Sequence, residues 1–433
     1  LLHCLPIWLI VYFQYFRMME REGKEASGYV TRAMLNESFE SIRTGDGSAG
    51  RYAGARMAMF YAALFTVIGV NMPFWPIWLS SRGLGAAEIG MVVSFGLAMK
   101  VVANPLVGHL ADRSGRRRSL MIVLSMGAAV AYGSFWFAHS FVVLVLISMC
   151  YFALWSPLIP LGENVTMMLV RERGLDYGRI RLWGSIGFIV ASVGAGLILS
   201  GQGPDQVPDL IYLMVTGAII LTSLTCMALP HSAPPRAEAR RWTVLHVLSD
   251  RRFVIFLICS ALIQASHSAY FAFATLHWKA LGHSELTIGL LWGAGVLSEI
   301  ALFVFSKRAV ARIGALGLLL CGAVAGIIRW SLMPLDLPLA ALFPLQLLHA
   351  FTFGASHLGA MYFISEQIEQ KFSATAQSLY SSAVMGIALS ATTLLSGYLF
   401  EAYGAAVFFA MAVMSMGGFV LCLSMIRTQR RDQ

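Results

Sequence analysis

Apolar residues run through this chain in long blocks broken by short polar connections. Twelve blocks are legible, at roughly 57–80, 87–110, 119–138, 141–163, 179–200, 209–230, 253–278, 286–306, 313–333, 337–363, 372–399 and 404–426. Stretches of about 20 apolar residues are long enough to cross the hydrocarbon core of a bilayer as helices. Composition supports the same reading: 58% of the 433 residues are hydrophobic and 12% are charged, more apolar surface than a soluble domain can hide. The pattern predicts an all-α, multi-pass membrane protein with the lipid bilayer as its solvent.

The polar positions between the blocks carry a second pattern. The second connection holds Arg113, Arg116, Arg117 and Arg118; the fourth, Arg171, Arg173 and Arg179; the sixth, Arg236, Arg240, Arg241, Arg251 and Arg252; the eighth, Lys307, Arg308 and Arg312. Between them, the first has Arg82, the third no Lys or Arg, the fifth only Asp205 and Asp209, and the seventh Lys279. Cationic loops alternating with poor ones place both termini and the long sixth loop in the cytoplasm of a cell (inner) membrane protein. The tenth connection is the exception, with Glu366 and Glu369 against Lys371. The net charge of +9 therefore fixes topology and does not point to nucleic acid. Six cysteines show no metal or redox spacing and read as packed thiols. Residues 1–56 break the pattern: a short apolar start and a mixed-charge, Gly/Ser-punctuated stretch read as a disordered extension or an extended translation start, with Met57 or Met59 a natural opening for the first span.

A shift of 199 residues lays the second block on the eighth. Ile89-Gly90 falls on Ile288-Gly289, Gly96 on Gly295, Lys100 on Glu299, Arg113 on Arg312 and Gly115 on Gly314, without a gap. The chain thus divides into an extension (1–56), a first six-helix bundle (57–230), a basic linker (231–252), a second bundle (253–427) and a cytoplasmic tail (428–433). Parallel duplicated halves are a plan of transporters.

The loop after the second span, "GHLADRSGRRRS", reads Gly108-x-x-x-Asp112-Arg113-x-Gly115-Arg116-Arg117. This resembles the signature loop of the major facilitator superfamily, and with the worn second copy the likeness covers 57–427. The resemblance implies twelve helices in two bundles that alternate access to a central site, with this loop as a cytoplasmic latch whose Asp meets cationic partners and helix ends and whose Arg residues pair across the bundles. A loop that only fixes topology would explain the Arg residues but not Asp112 or the glycines.

Charges inside the blocks are the candidate chemistry, because a charge in hydrocarbon is costly and usually faces a cavity and a partner. They are Lys100, Glu163, Arg181, Glu299, Arg329 and His349, with His267, His277 and His357 as weaker candidates. Glu163 ends the fourth block and Arg181 begins the fifth, so a hairpin at 171–178 brings them to similar depth. They would bind an anionic or hydroxylated solute, or brace two helices as an ion pair. Glu299, mid-span, is the candidate proton carrier, since desolvation penalises a charged carboxyl; His349 is a second, and each also suits a structural clasp. Asn71, beside "PFWP", is placed to line a cavity. Trp75, Trp78, Trp155 and Phe188 would supply an apolar slot, with Arg181 or Arg329 taking a carboxylate.

The stretch from Glu163 to Arg181 also resembles the lactose permease group of oligosaccharide:proton symporters. There a Glu fourteen residues before Tyr-Gly-Arg-x-Arg grips the sugar with the second Arg, which implies those roles for Glu163 and Arg181. Arg329 and His349 match that group's proton-handling pair in spacing. The chain departs from the group where the stacking Trp becomes Phe188, where the acid three after the His becomes Thr352, and where Glu299 falls a turn late. As a whole it is more similar to the phenylpropionate permease group, which implies small aromatic acids. The expected function is proton-coupled uptake of a small organic solute, such as an aromatic carboxylic acid, by a monomer without cofactor, the proton gradient supplying the energy. A sugar or nucleoside symporter, and a non-transporting receptor on the same scaffold, are the alternatives. An enzyme is not expected: the sequence shows no metal-ligand cluster, phosphate-binding Gly loop or Ser/His/Asp arrangement.

Overall fold

The computed structural model describes residues 47–230, 243–369 and 372–431. Contacts divide the chain into Leu1–Tyr52 and Ala53–Gln433; the helical body and every site considered below lie in the second. Most of the expected extension and most of the expected linker fall outside the described residues.

Twelve helices follow one another: α1 Gly47–Ser81, α2 Ala86–Ser114, α3 Arg117–Phe137, α4 Phe141–Arg173, α5 Tyr177–Ser200, α6 Val207–Ala228, α7 Arg251–Ala280, α8 Glu285–Val304, α9 Ser306–Leu332, α10 Leu339–Gln367, α11 at 373–403 and α12 Val407–Arg431. A six-residue helix, Thr243–Leu248, precedes α7. Each predicted block has its helix. The last helical stretch runs from Thr375 to Gln429 without an intervening loop. At 55 residues a single helix would be about 80 Å long, more than twice the hydrocarbon thickness of about 30 Å. Gly404, at φ 57° and ψ −137°, breaks it into α11 and α12.

Two helices differ from expectation. α4 continues ten residues past Glu163, because "NVTMMLVRER" keeps helical patterning until Gly174 adopts φ 63°. α9 begins at Ser306 rather than 313; "SKRAVARI" is already helical and turns into the span at Gly314, φ 68°. Its counterpart in the repeat, Gly115, ends α2 at φ 66°. Both copies use a backbone conformation that an L side chain strains to adopt, which explains why the glycine persists where the rest of the loop has worn.

The face that carries the Arg-rich loops is hereafter the basic face; two seams join the halves, and both close at the opposite face. Along α2 and α11, the Ala87 N–H donates to the Glu401 carboxylate at 2.7 Å and the Ser94 hydroxyl donates to the Ser390 carbonyl at 2.7 Å. Between them, a Cβ on Gly90 would lie 2.7 Å from the Cα of Gly397. Along α5 and α8, Gly196 lies against the Glu285 carbonyl, Gly289 against the Ser192 carbonyl, and Gly293 packs on Val193. Close approach through small residues is how helices gain packing in lipid, where apolar burial against tails gains little.

The loop at the basic face is tied locally. Asp112 pairs with Arg117 at 2.6 Å. Arg117, itself buried, also reaches the Met168 sulfur at 3.7 Å, and Arg118 donates to the Met227 carbonyl. Asp112 thus has a cationic partner inside the loop itself. Arg113 lies in the last turn of α2 and Arg116 caps α3.

Candidate functional site

α4 and α5 meet through the short turn that follows Gly174. Glu163 lies ten residues before the end of α4 and Arg181 five residues into α5, yet the long guanidinium arm closes the gap. Arg181 Nε is 3.1 Å from Glu163 Oε1, and the Tyr177 hydroxyl donates to the other carboxylate oxygen. Above the pair, the guanidinium lies over the Phe65 ring at 4.2 Å and near Tyr61 at 5.4 Å. These rings come from α1, which approaches α5 closely: a Cβ on Gly69 would lie 2.6 Å from the Phe188 carbonyl. A Cβ on Gly184 would lie 2.8 Å from the Arg181 guanidinium. The pair is neither sealed nor free. Each side chain keeps 30% of its surface open, so the group can exchange partners without a dry charge being left behind.

The antiparallel register of α5 on α8, running through Gly196–Glu285 and Ser192–Gly289, carries Arg181 to the level of Glu299. Behind Glu299 lies a second polar group of another kind. Arg329 is fully buried, its guanidinium carbon 4.4 Å from the Tyr270 ring and 4.7 Å from the Trp330 ring. It donates to Gln346 Oε1 at 2.7 Å, to Thr352 Oγ1 at 3.1 Å and to His349 Nδ1 at 3.1 Å.

Donor logic fixes the protons here. An arginine has no acceptor, so His349 Nδ1 must accept and its proton sits on Nε2, which faces Glu299 Oε2 at 3.8 Å. His267 Nδ1 faces the Gln264 carbonyl at 3.0 Å and must donate; its Nε2 then accepts from the Thr352 hydroxyl at 3.0 Å. Hydrogen bonds thus link His267, Thr352, Arg329 and His349 across α7, α9 and α10, and His349 faces Glu299 of α8. A π-helical turn at Ala350–Ala355, a feature common at functional positions, presents Thr352 to Arg329 and packs Gly354 on the Glu299 side chain.

Residues 55–411 match the MFS_1 like family. The chain belongs to that family. It is a family of membrane transporters and not of enzymes. A probable 3-phenylpropionic acid transporter from Escherichia coli strain K12 is 29% identical over 360 residues, covering 83% of this chain and 94% of the relative. The maltose permease of Geobacillus stearothermophilus is 26% identical over 380 residues, covering 86% and 94%. The crystal structure of nucleoside transporter NupG superposes with a TM-score of 0.74 at 16% identity, covering 87% of this chain and 98% of that one; it shows the fold. Family membership establishes the two-bundle, twelve-helix architecture and multi-pass membrane transport.

Not every residue singled out from the sequence sits where expected. Phe188 is 5% exposed and packs its own backbone on Gly69; Trp155, also 5% exposed, stacks on Tyr151. Trp75 and Trp78 stack on each other at 4.4 Å and against Phe135. Asn71 donates to the Tyr132 hydroxyl at 3.2 Å. These groups build the first bundle's interior, and the rings that reach Arg181 are Tyr61 and Phe65 instead. Arg329, expected to face a solute, is committed to three protein partners. His277 is held by the Met333 carbonyl at 3.1 Å. Sequence reasoning missed Tyr177, Gln264 and Gln346, and noted Thr352 only as a lost acid. The one signal for Gln346 was its place three residues, one helical turn, before His349.

Proposed function

We propose that this chain is a proton-coupled symporter that takes up a small aromatic carboxylate by alternating access. The observation that carries this reading is the half-open Glu163–Arg181 pair, roofed by Tyr61 and Phe65 and level with Glu299 across the bundle seam. Such a group offers donors, an acceptor and an apolar face together, the demands of an amphipathic solute. The relatedness to a probable 3-phenylpropionic acid transporter supports the solute class.

Coupling runs through Glu299. When Glu299 is charged, it and Glu163 share the field of Arg181; a proton on Glu299 leaves Arg181 to Glu163 and the solute. His349, held as the Nε2–H form by Arg329, is the adjacent relay. With both seams closed at the opposite face, this conformation offers its site to the basic face, which the Arg-rich loops assign to the cytoplasm. The protein would act as a monomer in the cell (inner) membrane with both termini cytoplasmic, driven by the proton gradient without a cofactor. A hydroxylated solute is the second reading, favoured by the carboxylate of Glu163 beside Tyr177.

Purified protein in liposomes tests the proposal with labelled aromatic acids, sugars and nucleosides under an imposed pH gradient. Accumulation of an aromatic acid toward the alkaline side is expected. Accumulation of a sugar or nucleoside instead would transfer the reading to the hydroxylated class. Binding of a solute without movement would overturn symport in favour of a receptor.

A further inference from the structure

Three cations lie deep in the helices, and their charges are balanced unequally. Arg181 faces Glu163. Arg329 is enclosed by His349, Thr352 and Gln346, and His349 faces Glu299. Lys100 has no ion pair among the described residues; its ammonium lies 6.0 Å from the centre of the Phe152 ring. It sits fourteen residues from either end of α2, about 21 Å along the axis, too far for its stem to carry the ammonium to either headgroup layer. An uncompensated ammonium at that depth is expensive and calls for a partner.

Lys100 does not face lipid alone. It lines a cavity of about 290 Å³ between the two bundles, whose polar wall is made by Asn104 from α2 and Ser378, Ser381 and Ser382 from α11. Pro160 of α4 closes one side, one helical turn before Glu163 on the same helix. The serines open a π-helical segment, Ser381–Ala388. The cavity lies directly beneath the closed part of the α2–α11 seam, six residues below the Ser94–Ser390 hydrogen bond. One cation, three hydroxyls and an amide, contributed by both halves, line this one cavity.

We propose that the carboxylate of the transported solute docks on Lys100, with Ser378, Ser381 and Ser382 as hydrogen-bond donors, while the Glu163–Arg181 group one turn away holds the rest of the molecule. This rests on the transport reading above and assigns its negative end. The cavity spans the seam, so the docked anion would draw α11 toward α2, giving the solute itself a hand in closing the basic side.

The test uses full-length protein in lipid nanodiscs, titrated with 3-phenylpropionate and with its neutral amide. Lys100→Gln should weaken the carboxylate at least about tenfold, as expected for loss of a charge-assisted contact, and leave amide binding unchanged; Lys100→Arg should recover most of the loss. A second measurement needs no variant: acylation of Lys100 in the wild-type protein by an amine-directed reagent, followed by mass spectrometry, should slow severalfold in the presence of 3-phenylpropionate. Wild-type uptake of the acid with Lys100 unprotected, and with Lys100→Gln binding normally, overturns the inference and leaves the transport reading standing. No binding or movement of any aromatic carboxylate overturns that reading and this inference with it. Protection that follows the anionic lipid content of the disc, rather than the added acid, assigns the cavity to a headgroup phosphate and also overturns it.

Discussion

Along the α2–α11 seam, Gly90 meets Gly397 and Ser94 bonds Ser390, and Lys100 lies below. Along the α5–α8 seam, Gly289 meets Ser192, and Glu299 lies below, level with Arg181. Lys100 and Glu299 occupy the same position in the two copies of the repeat, 199 residues apart. The glycines above them have been kept, because a Cβ would run into the opposing backbone. The charged position needs only to face the space between the bundles, and its sign has diverged. One seam presents a lone cation to a small cavity; the other presents an acid, a histidine and an arginine. The duplication supplies one seam geometry twice, with different side chains below it: a lysine beside three serines in one copy, an acid beside a histidine in the other.

Removing the acid should break this contrast most severely. Glu299→Gln is expected to abolish pH-driven accumulation while sparing exchange of internal for external solute, both measured in liposomes; persistent accumulation would place the proton elsewhere. Next in size, Arg181→Lys keeps the charge but exchanges a planar fork for a point charge. Uptake should fall at least about tenfold, since a charge-assisted contact of about 1.5–3 kcal/mol is misplaced. Wild-type uptake in that variant would remove Arg181 from the site.

The glycine pairs sharpen the comparison from the packing side. Gly289→Ala and Gly90→Ala should each lower stability by about 1–3 kcal/mol through overpacking, read by thermal unfolding in detergent. Gly108→Ala, where an added Cβ meets nothing within 4 Å, should cost nothing. Equal effects at all three positions would deny the seams any special closeness. The smallest effect belongs to Asp112→Asn. Asp112 is more than half exposed, so its pair with Arg117 should contribute about 0–1 kcal/mol, measured in the same unfolding assay.

The fold was largely legible because apolar blocks and their charged connections follow from the physics of the bilayer alone. The duplicated glycines at 115 and 314 were legible for a related reason: a positive φ leaves few alternatives. In the site, Glu163 and Arg181 stood out because ionised groups in hydrocarbon are rare. The neutral partners did not. Gln264, Gln346 and Thr352 look like any polar residue tolerated in a helix, and only the folded chain shows Gln346 and Thr352 on Arg329 and the Gln264 carbonyl on His267. The conspicuous tryptophans misled for a converse reason. Trp75 and Trp78 signal aromatic chemistry by type, but the rotation of α1 about its own axis turns them into the bundle and brings Tyr61 and Phe65 to Arg181. The π-helical turns of α10 and α11 shift the faces of those helices in a way no helical periodicity anticipates.

Alternation between the two faces, with the seams opening and closing, is the claim on which the rest depends. It is tested most directly by Ser94→Cys combined with Ser390→Cys, in a background whose native cysteines are replaced, joined by a short reducible cross-linker across the α2–α11 seam. The account predicts that the linked protein still binds solute from the basic face, transports none, and recovers uptake when the link is reduced. Uptake at the unlinked rate with the seam held shut would contradict it.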